Sequence, residues 1–169
     1  MSEGDTNDVT LVVPVFNEVD NLRPLHDAIA AAMTGHRYEL ILVNDGSTDG
    51  SKRILDELAQ EHAYIRVIHF VRNYGQTAAL TAGIRHAQAP VIVTLDADLQ
   101  NDPSDIPAML NRLDEADVVC GWRRDRKDPW LSRTLPSRVA NALISKLSNV
   151  PLHDYGCTLR VYRREYLEQ

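Results

Sequence analysis

Several things that would label a chain by eye are missing from this one. Cysteine is limited to Cys120 and Cys157, with no Cys-x-x-Cys pair, so neither a zinc cluster nor a disulfide framework is indicated, and a reducing compartment is expected. No apolar run approaches the roughly 18 residues of a membrane span and no signal peptide is read at the amino end, which makes a cytoplasmic location the expectation. Excess positive charge is absent too: 18 basic against 24 acidic side chains leave a net charge of −6, which argues against nucleic acid as the main partner. Neither Gly-x-Gly-x-x-Gly nor Gly-x-x-x-x-Gly-Lys-[Ser/Thr] occurs, and the first strand turns through Pro14-Val-Phe-Asn-Glu18. Dinucleotide oxidoreductases and P-loop nucleotidases are therefore disfavoured.

What remains is ordinary globular composition, 44% hydrophobic and 25% charged over 169 residues, enough for a real core. Residues 1–8 are polar and expected to be disordered. Beyond them, apolar runs alternate with helical periodicity. Strands are expected at Val9–Val15, Tyr38–Val43, Ile65–Val71, Val91–Leu95, Asp117–Gly121 and Leu159–Tyr162. Between them, helices carry Leu22, Leu25, Ile29 and Met33, then Ile54, Leu55 and Leu58, then Leu80, Gly83, Ile84 and Ala87, then Ile106, Met109, Leu110 and Leu113. A basic loop follows Trp122, and a further helix is expected from about Pro136. Gly83 is expected to pack close against the sheet. Asp102 and Pro103 form a helix start, cap then first-turn proline. The alternation predicts an α/β domain with a mainly parallel sheet, whose ligands bind beyond the carboxyl ends of the strands.

Polar groups collect at those ends: Asn17 and Glu18, Asn44 and Asp45, Asp96 and Asp98, and Arg123. Asp96 and Asp98 are two apart, so on an extended chain their carboxylates would share a face and close on one hard cation, Mg²⁺ or Mn²⁺. Such an ion would hold a diphosphate in place of a glycine loop; the alternative for the pair is a solvated turn. Asp45 could accept hydrogen bonds from a nucleobase, or could form an Asx turn that caps the helix after it.

Five ordered motifs then resemble a known family. Val-Pro-Val-Phe-Asn-Glu (13–18), Val-Asn-Asp-Gly-Ser-Thr-Asp (43–49), Arg-Asn-Tyr-Gly-Gln (72–76), Leu-Asp-Ala-Asp-Leu-Gln (95–100) and Asp-Tyr-Gly-Cys-Thr-Leu-Arg-Val-Tyr-Arg-Arg (154–164) look like family 2 glycosyltransferases, with the polyprenyl-phosphate glycosyltransferases the nearest likeness. The resemblance implies a GT-A (Rossmann-like) three-layer fold over residues 9–169. It also implies that Pro14, Phe16, Glu18, Asn44 and Asp45 bind the nucleoside side of a UDP- or GDP-linked sugar. Asp96, Ala97, Asp98 and Gln100 would then surround the metal and diphosphate, and Arg123 would face the phosphates. Arg133 and Ser137 match acceptor-phosphate positions, although Pro136 should break or restart the helix between them. Family members continue past this point with a basic segment and commonly membrane helices. A truncated catalytic core is therefore expected, from a protein at the cytoplasmic face of the membrane; homo-oligomer formation is left open.

Two physical points favour a polyprenyl phosphate over a sugar hydroxyl as acceptor. A hydroxyl must lose a proton as it attacks and needs a general base, whereas a phosphate monoester is already anionic at pH 7. The pair that supplies that base in hydroxyl-directed relatives is missing here, where His153-Asp154 stands instead. Asp154 is then a base or a structural partner of an arginine. The second point is the cluster Arg123, Arg124, Arg126, Lys127, Arg133 and Arg138, which suits two anionic substrates unless it is a solvated loop. The expected activity is inverting, metal-dependent sugar transfer. The alternatives are transfer to a hydroxyl and a sugar-nucleotide-binding remnant without catalysis.

Overall fold

The computed structural model describes residues 7–122 and 157–167. A six-stranded sheet has the order β3-β2-β1-β4-β6-β5. Its strands are β1 (Val9–Val15), β2 (Tyr38–Asn44), β3 (Ile65–His69), β4 (Val91–Thr94), β5 (Val118–Cys120) and β6 (Arg160–Arg163). The four consecutive neighbours β3-β2-β1-β4 pair in parallel, and among the described strands β6 alone runs opposite to the rest, between β4 and β5. The mainly parallel α/β arrangement expected from the alternation is the one observed. Strand β1 is one of the two inner strands of the parallel set and its apolar residues pack on both faces, which is why it reads as a nearly continuous apolar run.

Helices α1 (Leu22–Ala32), α2 (Ser51–Glu61) and α4 (Ile106–Asn111) cover one face, and α3 (Gln76–His86) covers the other. Alternation along β1 divides the core accordingly. Val9, Leu11, Val13 and Val15 pack with Leu22, Leu25, Ile29, Leu55 and Leu58, whereas Val12 joins Ile41, Val43, Ala79 and Ile92 under α3. Ile106, Met109 and Leu113 are buried as their spacing predicts, but the helix is split: a 3₁₀ turn at Pro103–Asp105 leads into α4, and another at Arg112–Asp114 ends it. Asp102 caps that first turn by accepting the Ser104 N–H at 2.9 Å.

Strand β3 stops at His69, two residues earlier than its apolar run suggests. Phe70 N still donates to Asn44 O at 2.8 Å, but Val71 is 92% exposed as the chain leaves the sheet. At the amino edge, Thr10 and Glu39 are buried inside strands and satisfy each other. Thr10 Oγ1 donates to Glu39 Oε1 at 2.6 Å, Gln88 N donates to the same oxygen at 3.0 Å, and Arg66 pairs with Oε2 at 3.2 Å. Among the described residues, no helix is long and apolar enough to cross a membrane.

Gly83 is the close-packing glycine its stripe predicts. A Cβ there would overlap Val12 Cγ1 and lie 3.2 Å from Val43 Cγ2. Overpacking of this kind costs about 1–3 kcal/mol, against a helix-propensity gain of about 1 kcal/mol for replacing glycine. Gly83→Ala is expected to lower the midpoint of urea unfolding, and an unchanged or raised midpoint would mean that α3 moves off the sheet freely.

Candidate functional site

The loops that follow β1, β2, β3 and β4 meet at the carboxyl edge, and each is tied to its neighbour. Asn17, after β1, takes a left-handed backbone (φ 56°), a conformation that Asn tolerates better than most residues. Its Oδ1 accepts the Thr48 N–H at 2.8 Å while its own N–H donates to Ser47 Oγ at 3.0 Å. Glu18 N donates to Ser51 Oγ and Val19 N to Asp49 Oδ2, both at 3.0 Å. Burial opposes ionisation of Asp49, but the hydrogen bonds from the Ser51 hydroxyl, Ser51 N and Val19 N prevail and hold its carboxyl below the usual carboxylate range. These bonds laminate the β1–α1 loop onto the β2–α2 loop and leave the Phe16 ring 46% exposed.

Asp45 makes the second tie. It is 2% exposed, its N–H donates to Val15 O at 2.8 Å, and its carboxylate accepts Tyr74 N at 2.7 Å and Gly75 N at 2.9 Å. The helix-capping alternative weighed for Asp45 falls to other residues: Asn44 Oδ1 accepts the Ser47 N–H at 2.9 Å, and Asp49 Oδ1 accepts Ser51 N at 3.0 Å. Gly46 lets the β3–α3 loop come this close. At φ +71°, a Cβ on Gly46 would overlap the Arg72 carbonyl carbon and sit 2.5 Å from Asn73 N. Backbone atoms cannot rotate away from such a contact.

The Asp-x-Asp stretch is bent, because β4 ends at Thr94 and Leu99 adopts φ 60°. The extended chain expected to align the two carboxylates is therefore replaced by a turn around Ala97, which is 3% exposed. Asp98 is exposed, and its Oδ1 accepts the Gln100 N–H at 3.1 Å. Asp96 is half-buried, and its Oδ1 accepts Gln76 Nε2 at 2.6 Å. Residues from the last motif brace this turn from behind. Thr94 Oγ1 donates to Thr158 O at 2.7 Å, Asn101 Nδ2 donates to Thr158 Oγ1 at 3.1 Å, and the buried Cys157 thiol donates to Asn101 Oδ1 at 3.4 Å.

Between these loops lies a cleft of about 280 Å³. Of the residues expected at a donor site, Pro14, Phe16, Glu18, Asp45, Asp96, Ala97 and Asp98 all line it. Two others are placed differently. The Asn44 side chain lies 2% exposed beneath it, between Ser47 N and His69 Nδ1, and Gln100 contributes the N–H that closes the Asp98 turn. Asn73, Gly75 and Gln76 line the cleft without having been assigned a role from sequence; the Arg-Asn-Tyr-Gly-Gln motif was the only signal, and its contacts are long-range. Arg123, Arg133, Ser137 and Asp154, with the rest of the basic cluster and Pro136, lie outside the described residues.

The donor set fits a hard divalent cation. Asp96 and Asp98 offer oxygen only, at the mouth of an open cleft, and no group of three or more His, Cys, Asp or Glu among the described residues is placed to hold a metal ion. One or two carboxylates completed by phosphate and water is the usual provision for Mg²⁺.

The family model described as glycosyl transferase family 2 matches residues 10–169. A dodecaprenyl-phosphate galacturonate synthase of Rhizobium johnstonii is 47% identical over 167 residues, covering 96% of this chain and 49% of that protein. An undecaprenyl-phosphate 4-deoxy-4-formamido-L-arabinose transferase of Proteus mirabilis is 42% identical over 166 residues, covering 96% and 51%. The chain thus spans about half the length of the curated relatives it matches. Among solved structures, a Pyrobaculum calidifontis mannosyltransferase in complex with GDP-Man and Mn²⁺ superposes with a TM-score of 0.68 at 21% identity, over 98% of this chain and 47% of that one. Glucosyl-3-phosphoglycerate synthase from Mycobacterium tuberculosis, in complex with UDP, gives 0.74 at 21% identity over 95% and 58%. The fold is the GT-A arrangement expected from the motifs.

Replacing Asp45 by Ala removes the acceptor of two backbone N–H groups. Hydrogen bonds to a charged group contribute about 1.5–3 kcal/mol each, and part of that loss is recovered by water. Asp45→Ala is expected to lower stability by about 2–4 kcal/mol and to speed amide exchange at Tyr74 and Gly75 selectively. Exchange at those two amides unchanged from wild type would contradict the tie.

Proposed function

This chain belongs to glycosyl transferase family 2, and from that premise we propose that residues 9–169 are the catalytic part of an enzyme that moves a sugar from a UDP- or GDP-linked donor to a polyprenyl phosphate, with inversion at the anomeric carbon. The observation that carries the reading is the cleft itself, where a buried Asp45 and the Asp96/Asp98 pair face one space at the carboxyl edge of a sheet that has no phosphate-cradling glycine loop. The polyprenyl-phosphate names of the two relatives support the acceptor class, and the Mn²⁺ and nucleotide complexes of the solved neighbours support a divalent ion and a nucleotide donor.

In this reading Phe16 presents its exposed ring to the nucleoside, with Pro14 and Glu18 beside it and Asp45 below. Asp98 and Asp96, with Gln100 adjoining, would hold Mg²⁺ or Mn²⁺, which when bound supplies positive charge to the departing diphosphate. By the motif resemblance Arg123 would serve the same phosphates, and Arg133 and Ser137 the acceptor phosphate. An oxygen of that phosphate forms the new bond to the anomeric carbon as the bond to the diphosphate oxygen breaks, and the diphosphate leaves with the electron pair. The acceptor is already anionic, so no proton has to be removed and the reaction requires no base from Asp154. The lipid acceptor brings the enzyme to the cytoplasmic face of the membrane.

The test uses the full-length protein with a short polyprenyl phosphate and labelled UDP- or GDP-sugars, and expects a lipid-linked product only when Mg²⁺ or Mn²⁺ is present. Asp98→Ala, which touches little core, is expected to lower the Mn²⁺-dependent nucleotide affinity by about 10-fold or more, equivalent to about 1.4 kcal/mol, with the unfolding temperature unchanged. Transfer to a sugar hydroxyl but not to a lipid phosphate, or calorimetry showing the same affinity for the variant with Mn²⁺, would overturn the reading.

A further inference from the structure

We infer that Gln76 is a positioning residue for the metal and diphosphate end of the cleft, acting through Asp96; this rests on the donor-site reading above. Gln76 is the first residue of α3, and its Nε2 donates to Asp96 Oδ1 at 2.6 Å. Both ends of that bond are fixed. On one side Gly75, at φ +93°, has its N–H held by Asp45 Oδ2 at 2.9 Å, and α3 itself is pinned to the sheet where Gly83 meets Val12 and Val43. On the other side Asp96 directly precedes Ala97, which is buried in the turn after β4.

A neutral amide donor leaves the carboxylate its full negative charge. It restrains the orientation of the Asp96 side chain at the cleft that Gln76, Asp96 and Asp98 line together. A carboxylate that is already oriented does not have to be ordered when the ion and the diphosphate bind. Gln76 therefore links the two ends of the donor site: Asp45 places the start of α3, and the start of α3 places Asp96.

Partners that orient metal-binding side chains typically contribute about 10-fold to 100-fold in metal affinity. Gln76→Met keeps the length and loses the donor, and the side chain is exposed, so the fold is not at risk. UDP and GDP binding are measured by calorimetry with and without Mn²⁺, using whichever nucleotide the wild type binds. Gln76→Met should reduce the Mn²⁺-dependent gain in affinity, the ratio of the affinities with and without the ion, by about 10-fold while the unfolding temperature stays as in wild type. In an Asp96→Asn background the same substitution should have no further effect, since its partner is already altered. A wild-type Mn²⁺ response left whole by Gln76→Met, or a loss that persists undiminished alongside Asp96→Asn, would overturn the role of Gln76 alone. A wild-type affinity that ignores Mn²⁺ would overturn the donor-site reading and this inference with it.

Discussion

The carboxyl edge of this sheet depends on one buried carboxylate. Asp45 sits at the end of β2, and its two oxygens receive the N–H groups of Tyr74 and Gly75, which lie about thirty residues further along the chain. A carboxylate removed from water needs such donors, and backbone N–H groups leaving a strand need an acceptor, so each side satisfies the other's requirement. Gly46 completes the arrangement by leaving out the methylene that would collide with Arg72 and Asn73. Loosening this joint would release the start of α3, and Gln76 with it.

The rest of the cleft is built by the same means, short polar side chains that accept from or donate to a neighbouring loop's backbone. Asn17, Ser47, Asp49 and Ser51 join the first two loops, and Thr94, Asn101 and Thr158 brace the loop after β4. Among the described residues the charged groups that line the open space are then of one sign, the carboxylates of Glu18, Asp45, Asp96 and Asp98, beside the exposed Phe16 ring and the neutral Asn73 and Gln76. A surface of that sign cannot by itself hold a diphosphate. It requires cations, which is where a divalent ion and the basic residues after Trp122 enter the proposed chemistry.

Much of this was legible in the residues, for reasons that differ by element. Val9–Val15 is buried on both sides, and its apolar run matches the observed strand end to end. The stripe through Leu22, Leu25 and Ile29 marks the buried face of α1, and Gly83 marks a close approach. Seven of the expected donor residues line one cleft because strand ends in a parallel sheet have to converge. What escaped is long-range. Nothing local to Asp45 distinguishes a helix cap from a clamp on Tyr74 and Gly75, and nothing in Thr10 or Glu39 announces a mutual partner across two strands. The end of β3 was missed because Phe70 and Val71 are apolar although the chain has already turned away. The bend at Asp96-Ala97-Asp98 was missed because an alternating pattern says nothing about a left-handed residue at Leu99.

The central claim is that one cleft, organised by Asp45, holds the whole of a nucleotide diphosphate. A crystal structure of the protein with UDP or GDP and Mn²⁺ tests it most directly. The account predicts the nucleoside against Phe16 and Asp45, the ion and diphosphate at Asp96 and Asp98, and Tyr74 N and Gly75 N still bonded to the Asp45 carboxylate. A nucleotide bound away from this cleft, or an ion bound without either Asp96 or Asp98, would contradict it.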